Sequence, residues 1–389
     1  MEKVMYLFNP ENDMALANFT PYYKTPSEIA RMAADLSVLP AWYAPSGSMI
    51  KVAGLSQVIL FREQCMAPGL FPQMEWSDVW ENVSYSPWGW NPALLYTLRS
   101  AGVSDTFLLS DEQMDRLRFF SGRQRCVEVL EALSDIPSVC GRAVVCSEMS
   151  EVKEYVSLFG QSMLKTPWSG SGRGLNRISP LSWTKSIEGW VARTLRVQKE
   201  IMVEPLYNKV CDFAMEFCID GNGVVGFAGY SLFETDMHGN YKGNLLLSDE
   251  DIQAFLFKYI SAETLLRVKK GLMKELSVLL RGEYKGFLGV DMMICLDEGK
   301  YFLHPCVEIN LRMNMGVVSR ILFDRYVHPQ ARGRYVVEYY SFDEEALNVY
   351  SGMCTLYPLR LLEGRLYKGY FPLTPISKNT RYVAYLILD

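Results

Sequence analysis

Histidine is scarce in this chain, three in 389 residues, and neither a G-x-S-x-G nor a Cys/His signature occurs, so a covalent serine or cysteine nucleophile is not indicated. The nine cysteines are scattered, at positions such as Cys65, Cys140, Cys218 and Cys354, with no C-x-x-C pair, which excludes a zinc-ribbon spacing and gives no disulfide framework. No apolar run reaches the roughly 18 residues of a membrane-spanning helix, and the start MEKVMYLFNP is too short and wrongly flanked for a signal peptide, so a cytoplasmic protein with no membrane partner is expected. Basic excess is also missing. Lys and Arg total 39 against 44 Asp and Glu, a net charge of -5 spread along the chain, which argues against nucleic-acid binding.

What is present is an ordinary globular composition, 49% hydrophobic and 21% charged, in a chain too long for one core. Val4 to Phe8 reads as a strand ended by Asn9-Pro10, and Thr25-Pro26-Ser27-Glu28 as a helix start with a capping box. With further apolar runs such as Val58 to Phe61, residues 1–110 read as a small α/β domain. Helices are predicted from Ser110, over Arg123 to Leu133, and from a Ser147 cap to Gly160, followed by a strand ending at Lys165. Glu200 to Glu204, Phe213 to Ile219 and Val224 to Tyr230 read as antiparallel strands, turning at Asp220-Gly221-Asn222-Gly223. Two helices follow, one capped by Ser248 and one over Ala262 to Leu280, then a hairpin of Phe287 to Cys295 and Tyr301 to Arg312 turning at Asp297-Glu298-Gly299. Beyond about residue 330 the chain reads as strands and loops without evident chemistry.

Two segments carry chemistry. Lys165 ends a strand and is followed by Ser169-Gly170-Ser171-Gly172-Arg173-Gly174, a loop whose backbone N–H groups can approach phosphate oxygens; it is not a P-loop, because no G-K-[ST] closes it. In the hairpin, strand alternation puts His304, Cys306, Glu308, Asn310 and Arg312 on one face, with Asp291 across from them. Two carboxylates and an amide oxygen are hard donors suited to Mg²⁺. The alternative is a structural Glu308–Arg312 ion pair on a solvated strand. His304 reads as a buried, hydrogen-bonded histidine or as an added ligand.

Lysine strand, glycine lid, Glu204-Pro205-Leu206 after a strand, and a hairpin ending D…E-x-N-x-R stand in the order found in the ATP-grasp superfamily, which residues 110–325 therefore resemble. The lid is similar to that of the biotin carboxylase and carbamoyl-phosphate synthetase branch. The resemblance implies an α/β (α+β) ATP-grasp fold: a pre-ATP-grasp domain at 1–110, an ATP-grasp domain at 111–330 (lid part about 111–198, metal-hairpin part about 199–330) and a C-terminal extension at 331–389 packing on it. It implies ATP with Mg²⁺ or Mn²⁺ as cofactors. Lys165 would meet the α- and β-phosphates, and Ser169 to Gly174 would close over them. Glu204 with the backbone of Pro205 and Leu206 would hold adenine, Leu206 N–H donating because Pro205 has none, and Asp212 would take the ribose. Arg123 or Arg125 would add a cation. Asp291, Glu308 and Asn310 would bind the metal, with Arg312 facing the transferred phosphate or a substrate carboxylate. The implied activity is carbon–nitrogen ligation of small-molecule carboxylate and amine substrates through an acyl phosphate. A kinase, or a nucleotide-binding protein without turnover, stays open as an alternative.

Two motifs near the start remain divided. Asn12 and Asp13, after the first strand, read as substrate residues at a strand's carboxyl end or as an Asx-closed turn. Trp88 and Trp90 read as interface packing or as a ligand platform.

Overall fold

The structure is a computed structural model that describes residues 3–169, 174–235 and 241–389. The first strand, Val4–Leu7, lies between Met49–Lys51 and Ser84–Pro87 in a parallel four-stranded sheet edged by Glu75–Ser77. The Val58 to Phe61 run is not a strand of it. It lies in the helix Leu55–Gln64, where Val58 and Phe61, three residues apart, are buried while Ile59 points to solvent. Four apolar residues are too few to separate the two periodicities, and turn spacing decides for the helix.

The second layer is an antiparallel sheet in the order Val144–Cys146, Ile201–Pro205, Ser162–Lys165, Leu175–Ile178. Helices Met149–Phe159 and Lys185–Gln198 cover one face through Val152, Val156 and Val191, which meet Cys146, Leu164 and Val203. The first of these helices begins one residue later than predicted. Glu148 is its cap, in a reciprocal box with Glu151, and Gly160 ends it at φ 72°.

The largest sheet has nine antiparallel strands and begins with the hairpin Gly286–Asp297 and Lys300–Asn310, followed by Lys209–Ile219, Val225–Thr235 and Tyr241–Leu246. Glu298 and Gly299 both take positive φ in the two-residue hairpin turn, the geometry that matches strand twist. Residues beyond 330 continue this sheet: Gly333–Tyr339 pairs with Tyr241–Leu246 and then with Tyr382–Leu388, which is followed by Arg365–Pro372 and Arg360–Leu362. A helix, Glu345–Leu356, interrupts these strands where only strands and loops are expected; it buries Ala346 alone, so its sequence carries little apolar periodicity.

The N-terminal layer is fastened to the C-terminal strands by Trp42. Its ring packs edge-on against Phe61, Tyr326 and Phe371, and its indole N–H donates to the carbonyl of Leu373 at 2.7 Å. Burying the ring and pairing its one polar atom satisfies both demands of a core tryptophan. Among the described residues no helix is long and apolar enough to cross a membrane.

Candidate active site

The hairpin sets Asp291 directly opposite Glu308. Its ladder is irregular between Asp291 and Met293, beside Pro305, which has no N–H to donate, and regular pairing resumes at Met293 with His304. The two-residue excess on the second strand keeps His304 and Glu308 on one face. Cys306 lies on the same side, buried against Cys126 with the Lys165 and Glu204 charges nearby, as the alternation predicts.

Asn310 joins the two charged ends of the face. Its amide nitrogen donates to Asp291 Oδ2 at 3.0 Å, and its oxygen accepts from Arg312 Nη2 at 3.1 Å. Burial, then the charges of Glu308 and Glu216, push the Asp291 carboxyl up to about 8.

Across the cleft, Lys165 and Glu204 sit on neighbouring strands as a buried ion pair, Nζ to Oε2 2.6 Å, and Lys165 also donates to the Val307 carbonyl at 3.4 Å. The root of the glycine loop is closed by Thr166 N–H to Gly174 O at 2.9 Å. Gly174 has φ +77°, and a Cβ there would lie 2.3 Å from Thr166 Oγ1, so only glycine fits. Gly170, Ser171, Gly172 and Arg173 lie outside the described residues.

Of the two candidate arginines, Arg123 is the one in the cleft. It is buried, and its guanidinium donates to Thr166 O (2.8 Å), Ser169 Oγ (2.7 Å) and Glu308 Oε1 (2.8 Å). Arg125 instead pairs with Glu128 and lies over Phe119. Leu206 departs from expectation: its N–H is already donated to Gln161 O at 2.8 Å, because the ladder between the two strands runs one residue further, so Leu206 and Pro205 offer carbonyls only. Asp212 is tied to Lys209 and accepts from Thr235 Oγ1 at 3.3 Å.

The asparagines of the N-terminal motif do not close an Asx turn. Asn9 and Asn12 are buried and hold loops together: Asn9 Nδ2 donates to Gly89 O at 2.8 Å, and the Asn12 amide sits 3.0 Å from the carbonyls of Gly89 and Trp90. Asp13 points the other way and takes both oxygens to Arg312, at 2.6 Å from Nε and 2.5 Å from Nη2. Trp88 packs between Phe8 and Tyr43, and its carbonyl accepts from Met313 N–H, so it serves the interface.

Glu216 is a residue that sequence reasoning passed over. It faces the hairpin from the next strand, paired with Gly289, and is fully buried. Ser231 Oγ and Asn314 Nδ2 donate to it at 2.7 and 3.0 Å, and burial nevertheless pushes its carboxyl up to about 7. The signal existed: Asp212, Ala214 and Glu216 alternate on one strand face. His304 is buried but not hydrogen-bonded as expected. Neither ring nitrogen has a partner among the described residues; the ring stands edge-on to Tyr207, and burial with the Lys165 charge pushes its pKa down to about 3.

Among the described residues no three His, Cys, Asp or Glu side chains gather as a ready metal cage. The Asp291–Glu308 pair with an amide beside it fits a hydrated divalent cation, since such a cation takes one or two protein carboxylates and keeps its other positions for water and phosphate. For Asn310 to serve, its oxygen would have to leave Arg312.

No family model matches this chain, and no curated protein matches it significantly. Solved structures do. A biotin carboxylase from Campylobacter jejuni, in complex with β,γ-ATP, superposes with a TM-score of 0.54 over 100% of this chain and 88% of that one, at 10% identity. The chain has the ATP-grasp fold. A pyruvate carboxylase from Rhizobium etli gives a TM-score of 0.50 at 12% identity, over 100% of this chain and 36% of the longer enzyme. At these identities the likeness is one of fold. In this ATP-grasp fold Lys165, Glu204, Arg123, Glu308, Asp291, Asn310 and Arg312 gather at the cleft between the Lys165 strand and the hairpin.

Proposed function

We propose that the protein is a Mg²⁺- and ATP-dependent ligase that activates a small-molecule carboxylate as an acyl phosphate and joins it to an amine. The observation that carries this reading is Arg123, which links the root of the glycine loop to Glu308 and so brings that loop and the Asp291–Glu308 hairpin to one cleft. In this reading Lys165 and Arg123 bind the phosphates, Ser169 to Gly174 cover them, and Asp291, Glu308 and Asn310 hold Mg²⁺. The metal supplies charge neutralisation of the polyphosphate. In the same reading Glu204, the carbonyls of Pro205 and Leu206, and Asp212 take the nucleoside.

Arg312 orients the carboxylate. A carboxylate oxygen attacks the γ-phosphorus as the bond to the β-phosphate oxygen breaks and ADP leaves. An amine then attacks the acyl carbon, phosphate leaves, and the nitrogen gives up a proton to form the amide. No covalent enzyme intermediate is required, and the contribution of the chain is position and charge. All nine cysteines are free thiols, which supports a reducing, cytoplasmic setting.

The test is ADP release from ATP with Mg²⁺ across a panel of small carboxylates and amines. Stoichiometric ADP, phosphate and amide are expected with the right pair. Phosphorylated substrate as the end product, with no amide under any amine, would remove ligation.

A further inference from the structure

The Nε–Nη2 fork of Arg312 is already taken. Its Nε and Nη2 hold Asp13, Nη2 also donates to Asn310, and Nη1 donates to the Met313 carbonyl at 3.0 Å. A ligand carboxylate can reach this Nε–Nη2 fork in bidentate fashion only by taking the place of Asp13. The cleft containing the pair, bordered by Ser121, Trp168, Glu308 and Asn310, has about 30 Å³ of free space, room for about one water, so a ligand group can enter it only by displacing what is there.

Asp13 is anchored through its chain neighbours. It follows Asn12, whose buried amide is fixed to the Gly89 and Trp90 carbonyls, and it precedes Ala15 and Leu16, which are buried in the core. If Arg312 turned to a ligand carboxylate, Asp13 would remain partly buried beside Glu308, without its cation. Leaving one partner of such a pair uncompensated is costly. A ligand that brings its own cation removes the difficulty, because one internal ion pair is exchanged for two: ligand carboxylate on Arg312 and ligand ammonium on Asp13.

We infer that the Asp13–Arg312 pair is the docking point of a zwitterionic substrate, an α-amino acid whose ammonium group is read by Asp13 while its carboxylate is presented for activation. This rests on the ligase reading above. It makes Asp13 a specificity-determining residue.

The test uses the full chain with Mg²⁺ and a non-hydrolysable ATP analogue, titrated calorimetrically with the twenty common amino acids and with des-amino counterparts such as propionate for alanine and glutarate for glutamate. At least one amino acid is expected to bind about tenfold or more tightly than its des-amino counterpart. In Asp13→Asn that preference should shrink to about threefold or less, with the folded state checked by thermal melting. Equal binding of the des-amino compounds, or an undiminished preference in Asp13→Asn, overturns the inference. If the nucleotide binds with Mg²⁺ but no amino acid does, the zwitterion site is wrong and the nucleotide site stands; if the nucleotide itself fails to bind, the ligase reading falls first.

Discussion

Arg123 Nη2 donates to Glu308 Oε1 at 2.8 Å, joining residues 185 positions apart in the chain. The same guanidinium holds the Thr166 carbonyl and the Ser169 hydroxyl, so the loop root and the Glu308 strand share one anchor.

Replacing Arg123 by Ala should therefore weaken ATP binding by roughly tenfold to a hundredfold, the scale of one or two charge-assisted hydrogen bonds. Arg123→Lys should recover little, because a single ammonium cannot span three acceptors arranged for a planar fork. Nucleotide titration with Mg²⁺ checks both variants, and full recovery by lysine would show that charge alone matters.

Lys165 and Glu204 are both buried and paired at 2.6 Å. Lys165→Met should destabilise the nucleotide-free fold by about 3–5 kcal/mol, since Glu204 is left as an uncompensated buried charge. Adding Glu204→Leu should restore most of that stability but not ATP binding. Denaturant unfolding of the single and double variants separates the two effects.

Glu308→Ala combined with Asn310→Ala should abolish Mg²⁺-dependent nucleotide binding while the fold persists, because Asp291 alone is a poor site for a cation that favours several oxygen donors. Calorimetry with and without Mg²⁺, alongside circular dichroism, provides the check. Unchanged affinity in a folded variant would refute the metal assignment.

Glu216 makes a pH prediction. Its folded pKa of about 7 stands above the ordinary value of 4.5, so the fold binds this proton more tightly than the unfolded chain does. The stability it contributes is complete below about pH 4.5 and is lost as pH rises through about 7. Glu216→Gln keeps the shape and the bonds to Ser231 and Asn314 without the charge. Its melting temperature should fall less than wild type across that window, and at about pH 8 the variant should be the more stable by roughly 1–3 kcal/mol. Parallel melting curves of both proteins across that pH range are the measurement.

Much of the molecule was legible in its sequence because the deciding signals are local. Alternation in the hairpin and the turn at Asp297-Glu298-Gly299 are written in residues two to four apart, and so are the Ser248 cap and the order of lysine, glycine loop and carboxylates. Where a signal was too short, as over Val58 to Phe61, or too faint, as over Glu345–Leu356, the local reading failed. Leu206 was misjudged for a different reason: whether an N–H is free depends on how far a ladder extends, and strand pairing is a long-range event.

By itself the sequence determined which groups stand where along the chain, a lysine at a strand end before a glycine-rich loop and oxygen-bearing side chains on a hairpin. Only the tertiary structure decided which groups are already engaged: Arg123 with Glu308, Lys165 with Glu204, Arg312 with Asp13. Charges far apart in the chain pair when folding removes their water, and that choice is made by burial and distance, neither of which spacing along the chain records.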